Sequence, residues 1–479
     1  MKSFYITTTL PYINADPHIG FAMEIIQADI IARAKKLQGF DVFFNTGSDE
    51  HGQKMYQKAL ETKKEPKAYM DEFAEKFKNL KPLLNLSDDL RFVRTTDDHH
   101  KMAAQEFWKR CVLAGDIYKK EYKIRYCVGC ELEKTDSELV DGRCPIHPDR
   151  KVEIIEETNY FFRFSKYGDR LLTLYESQPD FVIPSFRLNE IKAMINKGLE
   201  DFSISRLVSK MPWGVPVPGD KDHVMYVWFD ALVNYISTIG WPDDLESFEK
   251  YWPVIQFAGK DQVRQQAAIW QAMLMSAGLA PSKQIIIHGF ITNNGQKMSK
   301  SLGNVINPFE LVEKYGTDAM RFFIAHELNT YEDSDVTLER IHESYIANLS
   351  NGLGNLVARV AKLCENNHVI ASTLASLSVN SAKQSLNFDP KMTRYLEEFK
   401  FNEALFHVWE EITEADKKVN LEKPWELDGE KAKEVLEDLV KRIQHIAFNL
   451  QPFLPETAEK ILKQFSGEIK SAPPLFHRI

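Results

Sequence analysis

The spacing of apolar residues in the first ninety positions predicts alternating strands and helices. Residues 4–10 are rich in β-branched and aromatic side chains and are typical of a strand, and residues 41–46 are typical of a second one. The segment between them predicts a helix over 18–37, because apolar residues recur on one face at Ile19, Ala22, Ile26, Ile30 and Leu37. Strands separated by helices predict an α/β fold with a doubly wound, Rossmann-like parallel sheet.

This alternation is interrupted and then resumes. Residues 97–200 contain strand-like stretches at 122–126 and 151–162 and then two helical segments, which indicates an insertion into the sheet domain. The later pattern predicts strands at 223–228, 253–258 and 284–288 and helices at 229–239 and 261–277. Beyond residue 330, helical spacing dominates in the windows 337–365, 394–419, 427–449 and 456–465. We therefore expect a split α/β domain (1–115 and 221–330), an insertion (116–220) and an α-helical bundle (331–479).

Composition narrows the class of protein. The chain has 479 residues, which at about 150 residues per domain suggests roughly three domains. Its 60 Lys and Arg against 69 Asp and Glu give a net charge of −9, which argues against a histone-like surface but leaves room for a local basic patch that binds nucleic acid. No apolar run approaches the ~18 residues of a membrane span, and the N-terminus does not resemble a signal peptide. We expect a cytoplasmic protein without a disulfide scaffold, since five cysteines are too few for one.

Three of the five cysteines cluster with a histidine in the pattern Cys127-x2-Cys130-x13-Cys144-x2-His147. Two short ligand pairs joined by about a dozen residues suit one tetrahedral Zn²⁺, and a closed Cys3His shell implies a structural metal. A redox Cys-x-x-Cys pair is the alternative, but it would leave Cys144 and His147 unexplained.

Two further motifs suit the binding of phosphate. The strongest of them is Lys297-Met298-Ser299-Lys300-Ser301, which comes after Asn293-Asn294-Gly295 and combines two cations with two hydroxyls. A solvated basic loop is the alternative. The second motif is Pro17-His18-Ile19-Gly20, where the chain leaves the first predicted strand and begins a helix. The free backbone N–H groups at a helix N-terminus favour the binding of an anion. Alternatively, His18 is only a cap or surface residue. A third motif, Gly259-Lys260-Asp261, lies at the carboxyl end of a predicted strand. The Asp261 carboxylate is suited either to accept hydrogen bonds from the hydroxyls of a ribose or to cap the following helix.

Together these motifs resemble the class I aminoacyl-tRNA synthetases, and the likeness is closest to the methionyl-tRNA synthetases across nearly the whole chain. Further segments that are similar to that family are 9–12 (TLPY), 47–52 (GSDEHG), 198–206 (GLEDFSISR), 213–218 (WGVPVP) and 226–231 (YVWFDA). The resemblance implies ATP-dependent formation of methionyl-adenylate, transfer to tRNA with a CAU anticodon, a zinc knuckle in the insertion and an anticodon-binding function for the bundle. It also implies Mg²⁺ with ATP. We expect a monomer, since no appended module follows the bundle.

The resemblance also assigns roles to individual residues. Catalysis is expected of His18, Lys297 and Lys300. ATP is expected to contact His18, Gly20, Gly259, Asp261, His288, Lys297, Ser299 and Lys300. The residues expected to contact methionine are Leu10, Tyr12, Asp49, Trp228, Ala231, Tyr235, Gln266 and Trp270. Among them, Asp49 is expected to bind the ammonium group of methionine. Without the resemblance, the aromatic residues would be interpreted as core residues. The anticodon is expected to contact Asn351, Asn355, Arg359 and Trp425, which without the resemblance would be a polar helix face and a core tryptophan.

Two departures from the family pattern leave alternatives open. Phe21 stands where the family usually has a second histidine, and Gln262, Gln265 and Gln266 replace an aliphatic residue and a Phe-His pair. These glutamines share one helical face, so they reflect either neutral repacking or a changed amino-acid preference. A synthetase-like paralogue with altered specificity, or one that binds tRNA without charging it, is therefore the main alternative. A further alternative is a protein that only binds nucleic acid. Such a protein would have no use for the segment Lys297–Ser301, here called the lysine loop, because it releases no pyrophosphate.

Overall fold

The computed structural model describes residues 1–130, 132–134, 138–298, 303–371 and 388–479. The strands are β1 (Ser3–Thr7), β2 (Asp41–Ser48), β3 (Leu90–Arg94), β4 (Ile117–Cys127), β5 (Leu132–Lys134), β6 (Glu153–Phe162), β7 (Val182–Ile183), β8 (Phe202–Ser203), β9 (Ser205–Leu207), β10 (His223–Met225), β11 (Ile255–Gly259), β12 (Gln284–His288), β13 (Ile291–Asn293), β14 (Gln296–Lys297), β15 (Ser334–Asp335), β16 (Ile370–Ala371) and β17 (Gly467–Glu468).

The helices follow the same order along the chain. They are α1 (Ile19–Leu37), α2 (Gln53–Glu61), α3 (Pro66–Lys78), α4 (Leu80–Leu83), α5 (Asp98–Leu113), α6 (Gly168–Ser177), α7 (Ser185–Asn196), α8 (Val227–Ala231), α9 (Asn234–Ser237), α10 (Leu245–Tyr251), α11 (Trp270–Ser276), α12 (Pro308–Tyr315), α13 (Thr317–Glu327), α14 (Leu338–Ser344), α15 (Asn355–Asn366), α16 (Pro390–Glu397), α17 (Phe401–Glu422), α18 (Gly429–Leu450) and α19 (Pro455–Gln464). Helix α11 is preceded by a π-helical stretch at Arg264–Ile269, and α15 by another at Tyr345–Gly354.

The predicted parallel sheet is confirmed. Six strands lie in the order β3-β2-β1-β11-β12-β7, and every neighbouring pair is parallel. Their carboxyl ends therefore meet at one edge, and the strand order reverses direction between β1 and β11. In open α/β sheets such a reversal point opens a crevice in which ligands bind.

The insertion contributes to the sheet as well as to its own subdomain. The long antiparallel pair β4–β6 is joined by β5 and β8 in a separate four-stranded sheet. Strand β7, however, pairs with β12 at the edge of the parallel sheet. A two-residue strand is too short for a recognisable apolar pattern, so the sequence did not predict this edge.

Two segments differ from the predicted elements. The strand predicted at 223–228 ends at Met225, and Val227 already begins α8, so the helix predicted at 229–239 starts earlier and divides into α8 and α9. The apolar run around Tyr226 suits either structure, so its pattern does not show where the strand ends and the helix begins. The helix predicted at 261–277 divides into a 3-10 turn, the π-helical stretch and α11.

A buried arginine of the sheet domain also contacts the α-helical bundle, through the backbone at Pro452 and Phe453. Arg321 on α13 lies 2.8 Å from the carboxylate of Asp29 on α1, and both side chains are fully buried. It also donates to the backbone carbonyl oxygens of Leu84, Pro452 and Phe453. One side chain therefore connects α1, the loop before β3 and the end of α18. Within the described part of the chain, none of the helices has the length and apolarity to cross a bilayer.

Candidate functional site

His18 lies where the sequence predicted it, at the N-terminus of α1. It is the N-cap residue, and its Nδ1 accepts a hydrogen bond from the backbone N–H of Gly20 at 3.1 Å. In the neutral imidazole the proton is then on Nε2, which makes that atom a donor at the positive end of the helix. A Cβ at Gly20 would approach the imidazole to 3.0 Å, so glycine leaves room for the ring in this position.

Phe21 turns away from this helix end and into the core. Only 9% of it is exposed, and its ring packs edge-on against Phe77 of α3 at 5.4 Å between centroids. The departure from the family pattern is therefore accommodated as apolar packing.

A buried cluster of polar side chains that the sequence did not predict connects α1 to the segment after β1 and to the last residue of β12. Glu24 accepts hydrogen bonds from the backbone N–H (2.6 Å) and hydroxyl (2.7 Å) of Thr9, and its other oxygen lies 2.7 Å from His288 Nε2. His288 Nδ1 faces the carbonyl oxygen of Gly289 at 2.7 Å, which can only accept. Opposite a carboxylate at Glu24, both ring nitrogens donate, and this arrangement favours the imidazolium form of His288. Burial opposes that charge, but the hydrogen bond and the charge of Glu24 outweigh it and raise the pKa of His288.

The predicted ATP-contacting residues at the ends of β11 and β12 lie close together. A Cβ at Gly259 would come within 2.8 Å of the Asp261 carboxylate and 3.6 Å of the His288 ring. His288, however, is committed to Glu24 and Gly289, so its imidazole supports the site through Glu24. No sequence signal marks Glu24, because Gln27 and Asp29 are further polar residues among the buried positions of α1.

The residues predicted to contact methionine come from four segments at the same sheet edge. Tyr12 pairs with Asp49 in a parallel bridge that extends β1 and β2 beyond their ends. The Tyr12 ring lies 6.1 Å from Trp228 on α8, and the Tyr235 ring lies 5.9 Å from Trp270 on α11. Leu10 lies on the loop between Thr9 and Tyr12, and Ala231 one turn after Trp228.

Two polar atoms of this aromatic group have no hydrogen-bond partner among the residues that the structure describes. The indole N–H groups of Trp228 and Trp270 are buried and form no hydrogen bond among the residues the structure describes. Buried donors are normally satisfied, so such orphans indicate space for a ligand or water. Gln266 is engaged, because its Nε2 donates to the Tyr235 hydroxyl at 2.8 Å. Burial raises the pKa of Tyr235, so this hydroxyl keeps its proton.

A further buried pair supports the wall of this group. His51 Nδ1 lies 3.1 Å from a carboxylate oxygen of Asp230, both fully or nearly fully buried. Burial opposes ionisation, but the neighbouring His51 and His100 lower the pKa of Asp230. Glu50, beside Asp49, accepts two hydrogen bonds from Arg94 at 2.6 and 2.8 Å. Glu50 and His51, the two residues after Asp49, are therefore already paired within the protein. These pairs hold the backbone that carries Asp49 in place.

The lysine loop can be described only at its flanks. Ser299, Lys300 and Ser301 lie outside the described residues, as does the side chain of Lys297. Asn294 and Gly295 both have positive φ, at 53° and 71°, and form the tight turn between β13 and β14 that leads into the loop. After the loop, Ile306 accepts from the backbone N–H of Ile19 at 3.2 Å. This contact brings the loop's exit against the helix end that carries His18.

The four predicted metal ligands are brought together. Cys127, Cys130, Cys144 and His147 have donor atoms that all lie within 4.8 Å of one another. The Cys130–Cys144 sulfur separation is 3.5 Å, and His147 Nδ1 lies 3.2 Å from Cys130 Sγ and 3.9 Å from Cys127 Sγ. Zn–S bonds of about 2.3 Å in a tetrahedron separate ligand atoms by about 3.5 to 3.8 Å. This donor set fits a zinc ion, and it includes the residues that a redox pair would leave unexplained.

Among the predicted anticodon residues, Asn351, Asn355 and Trp425 are exposed and Arg359 is partly buried. Asn351 lies in the π-helical stretch, whereas Asn355 and Arg359 lie on the regular helix α15. The Arg359 guanidinium stacks over Trp425 at 5.1 Å from the ring centroid, and 50% of this tryptophan is exposed. Trp425 is therefore not the core residue of the alternative interpretation. An exposed indole held by a cation is available for stacking.

Comparison with known proteins identifies the class. The family described as tRNA synthetases class I (M) matches residues 4–153 and 146–361. The methionine–tRNA ligase of Thermotoga maritima is 42% identical over 98% of this chain and 76% of its own length, and that of a Nostoc species is 40% identical over 97% and 90%. The methionyl-tRNA synthetase of Mycobacterium tuberculosis in complex with methionyl-adenylate superimposes with a TM-score of 0.91 at 36% identity, over 99% of both chains. Its free form superimposes with a TM-score of 0.83 at 33% identity, over 99% of this chain and 97% of that one.

The fold and these matches define a class I tRNA synthetase. Within that class, the chain belongs to the methionine-specific family, tRNA synthetases class I (M).

Proposed function

We propose that this chain is a methionine–tRNA ligase, which activates methionine with ATP to methionyl-adenylate and transfers it to tRNA(Met) with a CAU anticodon. The observation that carries the proposal is the convergence of Tyr12, Asp49, Trp228 and Tyr235 at the carboxyl edge of the parallel sheet, the edge that also carries His18 at the N-terminus of α1. The relatives named above support the same activity.

The substrates supply the reacting groups, so the protein's task is positioning and charge stabilisation. The methionine carboxylate attacks the α-phosphate of ATP and releases pyrophosphate; a ribose hydroxyl of the tRNA then attacks the acyl carbon. Asp49, on a backbone fixed by its paired neighbours, would hold the ammonium group. His18 Nε2, Gly20 and the α1 N-terminus would face phosphates, and Gly259 and Asp261 the ribose. Lys297, Ser299 and Lys300 would bind the leaving pyrophosphate, and Mg²⁺ would accompany ATP.

The aromatic residues suit the methionine side chain. Leu10, Trp228, Ala231 and Trp270 offer an apolar wall to a flexible, polarizable thioether. Tyr12, beside Trp228, closes the wall near Asp49.

The other sites complete the proposal. Cys127, Cys130, Cys144 and His147 would hold one structural Zn²⁺ that folds the tip of the β4–β6 sheet. Asn351, Asn355, Arg359 and Trp425 would read unstacked anticodon bases by hydrogen bonds and stacking. We further infer a cytoplasmic monomer.

Amino-acid-dependent ATP–pyrophosphate exchange, measured with each of the twenty amino acids and followed by charging of tRNA(Met), tests the proposal. Exchange with methionine alone and charging of the CAU tRNA are expected. Exchange with a different amino acid would instead support the paralogue with altered specificity, which the glutamine face motivates. Exchange with none would refute both enzymatic readings.

A further inference from the structure

A cluster of side chains that can bind a metal lies on the α-helical bundle, away from the cysteine cluster. Asp389, His407 and Glu411 each offer one ligand atom, and these three atoms lie within 4.8 Å of one another. His407 and Glu411 are four residues apart on α17, so they lie on the same face of that helix. Asp389 is the N-cap residue of α16. The three side chains therefore bring two helices of the bundle together.

The histidine of this cluster has carboxylates at both ring nitrogens. His407 Nε2 lies 2.9 Å from Asp389 Oδ1, and its Nδ1 lies 3.3 Å from Oε2 of Glu410. A histidine that binds a metal through one ring nitrogen normally donates its other N–H to a carboxylate, which fixes the tautomer and the orientation of the ring. Glu410 is such a partner for Nδ1, so Nε2 is the nitrogen that can face an ion.

The backbone of α16 orients the carboxylate of Asp389. Its Oδ1 accepts hydrogen bonds from the backbone N–H groups of Lys391 at 2.7 Å and Met392 at 3.2 Å. Its second oxygen, Oδ2, takes part in neither contact. The ammonium group of Lys391 lies 3.4 Å from Glu410 Oε2, so this cation neutralises a carboxylate outside the three donors. Asp389 therefore contributes an oriented negative charge to the cluster.

Glu411 has a buried oxygen that lacks a partner. Its Oε1 lies 3.5 Å from Nε2 of His445 on α18. Its Oε2 is buried and has no hydrogen-bond partner among the residues that the structure describes. A buried carboxylate oxygen without a partner is costly, and buried polar atoms are normally satisfied. A bound cation would supply the partner, whereas hydrogen bonds and ion pairs within the cluster leave Oε2 unsatisfied.

We propose that Asp389, His407 and Glu411 bind one divalent transition-metal ion, for which Zn²⁺ is the best match, and that this ion connects α16 to α17. Zn²⁺ binds imidazole and carboxylate ligands at about 2.0 to 2.2 Å, which in a tetrahedron separates the ligand atoms by about 3.3 to 3.6 Å. The three side chains are 16% to 26% exposed, so they have room to close around an ion. This donor set contains no thiolate, so its zinc should exchange more readily than that of the cysteine cluster.

Zinc titration of the whole chain tests the site. Brief treatment with EDTA and gel filtration should remove exchangeable metal and leave the zinc of the cysteine cluster, which atomic absorption quantifies. Calorimetric titration with ZnCl2 should then show one further Zn²⁺ per chain. Glu411→Gln and His407→Ala should each weaken this binding by about 10-fold or more, because a change beside a metal ligand alone costs about 10- to 100-fold in affinity. Glu414→Gln, the same substitution at an exposed position of α17, should leave it unchanged.

Thermal unfolding gives a second readout. An ion that binds the folded chain and not the unfolded one raises Tm by mass action, so added Zn²⁺ should raise the Tm of wild type and of Glu414→Gln. It should not raise the Tm of Glu411→Gln. Without added Zn²⁺, Glu411→Gln should be at least as stable as wild type, because it removes a buried charge that lacks a partner. If His407→Ala does not fold, as judged by circular dichroism, Glu411→Gln decides.

Two results would overturn the proposal. One is that wild-type protein binds no Zn²⁺ beyond that of the cysteine cluster. The other is that a further Zn²⁺ binds with unchanged affinity in the folded variants, which would place it elsewhere on the chain. Either result would leave Asp389, His407 and Glu411 as a network of ion pairs that stabilises the bundle without a metal.

Discussion

Replacing Glu24 by alanine should be among the most destabilising single changes in the sheet domain. Its carboxylate is the acceptor for Thr9 twice and for His288 once, all at 2.6–2.7 Å in the interior. The substitution leaves an imidazolium and a backbone N–H without a partner, where little water can reach them.

The size of the effect follows from these contacts. Three hydrogen bonds to a charged group, at about 1.5 kcal/mol each at the low end of their range, total about 4.5 kcal/mol. Removal of one partner of a buried ion pair generally costs about 3–5 kcal/mol. The two estimates agree, so we expect Glu24→Ala to lower the free energy of unfolding by about 3–5 kcal/mol. The turn at Thr9 and Leu10 should also loosen, which raises the KM for methionine.

Glu24→Gln is the matched variant. Its amide oxygen can still accept from Thr9, and its NH2 can donate to Nε2 of a neutral His288, while Nδ1 continues to donate to Gly289. The loss should therefore be about 1 kcal/mol, one charge-assisted hydrogen bond becoming neutral.

The pH dependence of the free energy of unfolding distinguishes a charged His288 in wild type from a neutral His288 in Glu24→Gln. The pKa of His288 is raised in the folded state. Its contribution to the free energy of unfolding is therefore complete below the pKa of about 6.5 that a histidine has in the unfolded chain, and it is lost as pH rises through the raised pKa. Urea unfolding followed by tryptophan fluorescence, at several pH values between 6 and 9, should show this alkaline loss in wild type and not in Glu24→Gln. A cost below about 1 kcal/mol for Glu24→Ala, or the same alkaline slope in Glu24→Gln, would refute the buried imidazolium.

Three other sites give independent tests. Cys144→Ala should abolish zinc retention measured by atomic absorption, because three ligands do not close a tetrahedral shell; zinc-free, folded wild-type protein would contradict the assignment. Lys300→Ala should slow adenylation by about 10²–10³ with little change in methionine affinity, as read from exchange kinetics against equilibrium binding, and an unchanged rate would remove the pyrophosphate role. Trp425→Ala should lower kcat/KM for charging of the CAU tRNA by about 5- to 150-fold while exchange without tRNA stays the same, because stacking contributes about 1–3 kcal/mol per base. Equal loss in both assays would indicate a folding role instead.

Regular elements with a single clear period were predictable from the sequence. Strand β12 has the predicted bounds, 284–288, and α1 begins one residue after the predicted start because His18 caps it. The prediction of a strand over the whole of 223–228 was wrong, because a short apolar and aromatic run does not show whether a strand or a helix will form. The π-helical stretch before α11 was missed for a related reason: one extra residue per turn hardly changes the apolar pattern. There the side chain of Gln271 satisfies the carbonyl of Gln266, a contact that no periodicity reveals.

Sites made of residues close in the chain were easier to predict than sites made by folding. The cysteine cluster follows from ligand spacing, and its donor atoms converge as expected. The Glu24–His288 pair joins residues 264 positions apart, and either residue alone is unremarkable in sequence. His288 was expected to face ATP, yet the structure gives both of its ring nitrogens to the protein. Only the three-dimensional contacts could assign it a supporting role.

The two departures from the family pattern have opposite physical consequences. Phe21 is absorbed into the core against Phe77, so the change at that position replaces a polar side chain by packing and creates no new contact at the sheet edge. Gln266, by contrast, is buried and uses both ends of its amide, because its Oε1 accepts from Gln256 Nε2 at 3.0 Å and its Nε2 donates to the Tyr235 hydroxyl at 2.8 Å. Buried amides are normally satisfied, so this position is accommodated by hydrogen bonds, whereas Phe21 is accommodated by packing. Amino-acid-dependent exchange decides between the two interpretations of the glutamine face: exchange with methionine alone favours neutral repacking, and exchange with another amino acid favours a changed preference.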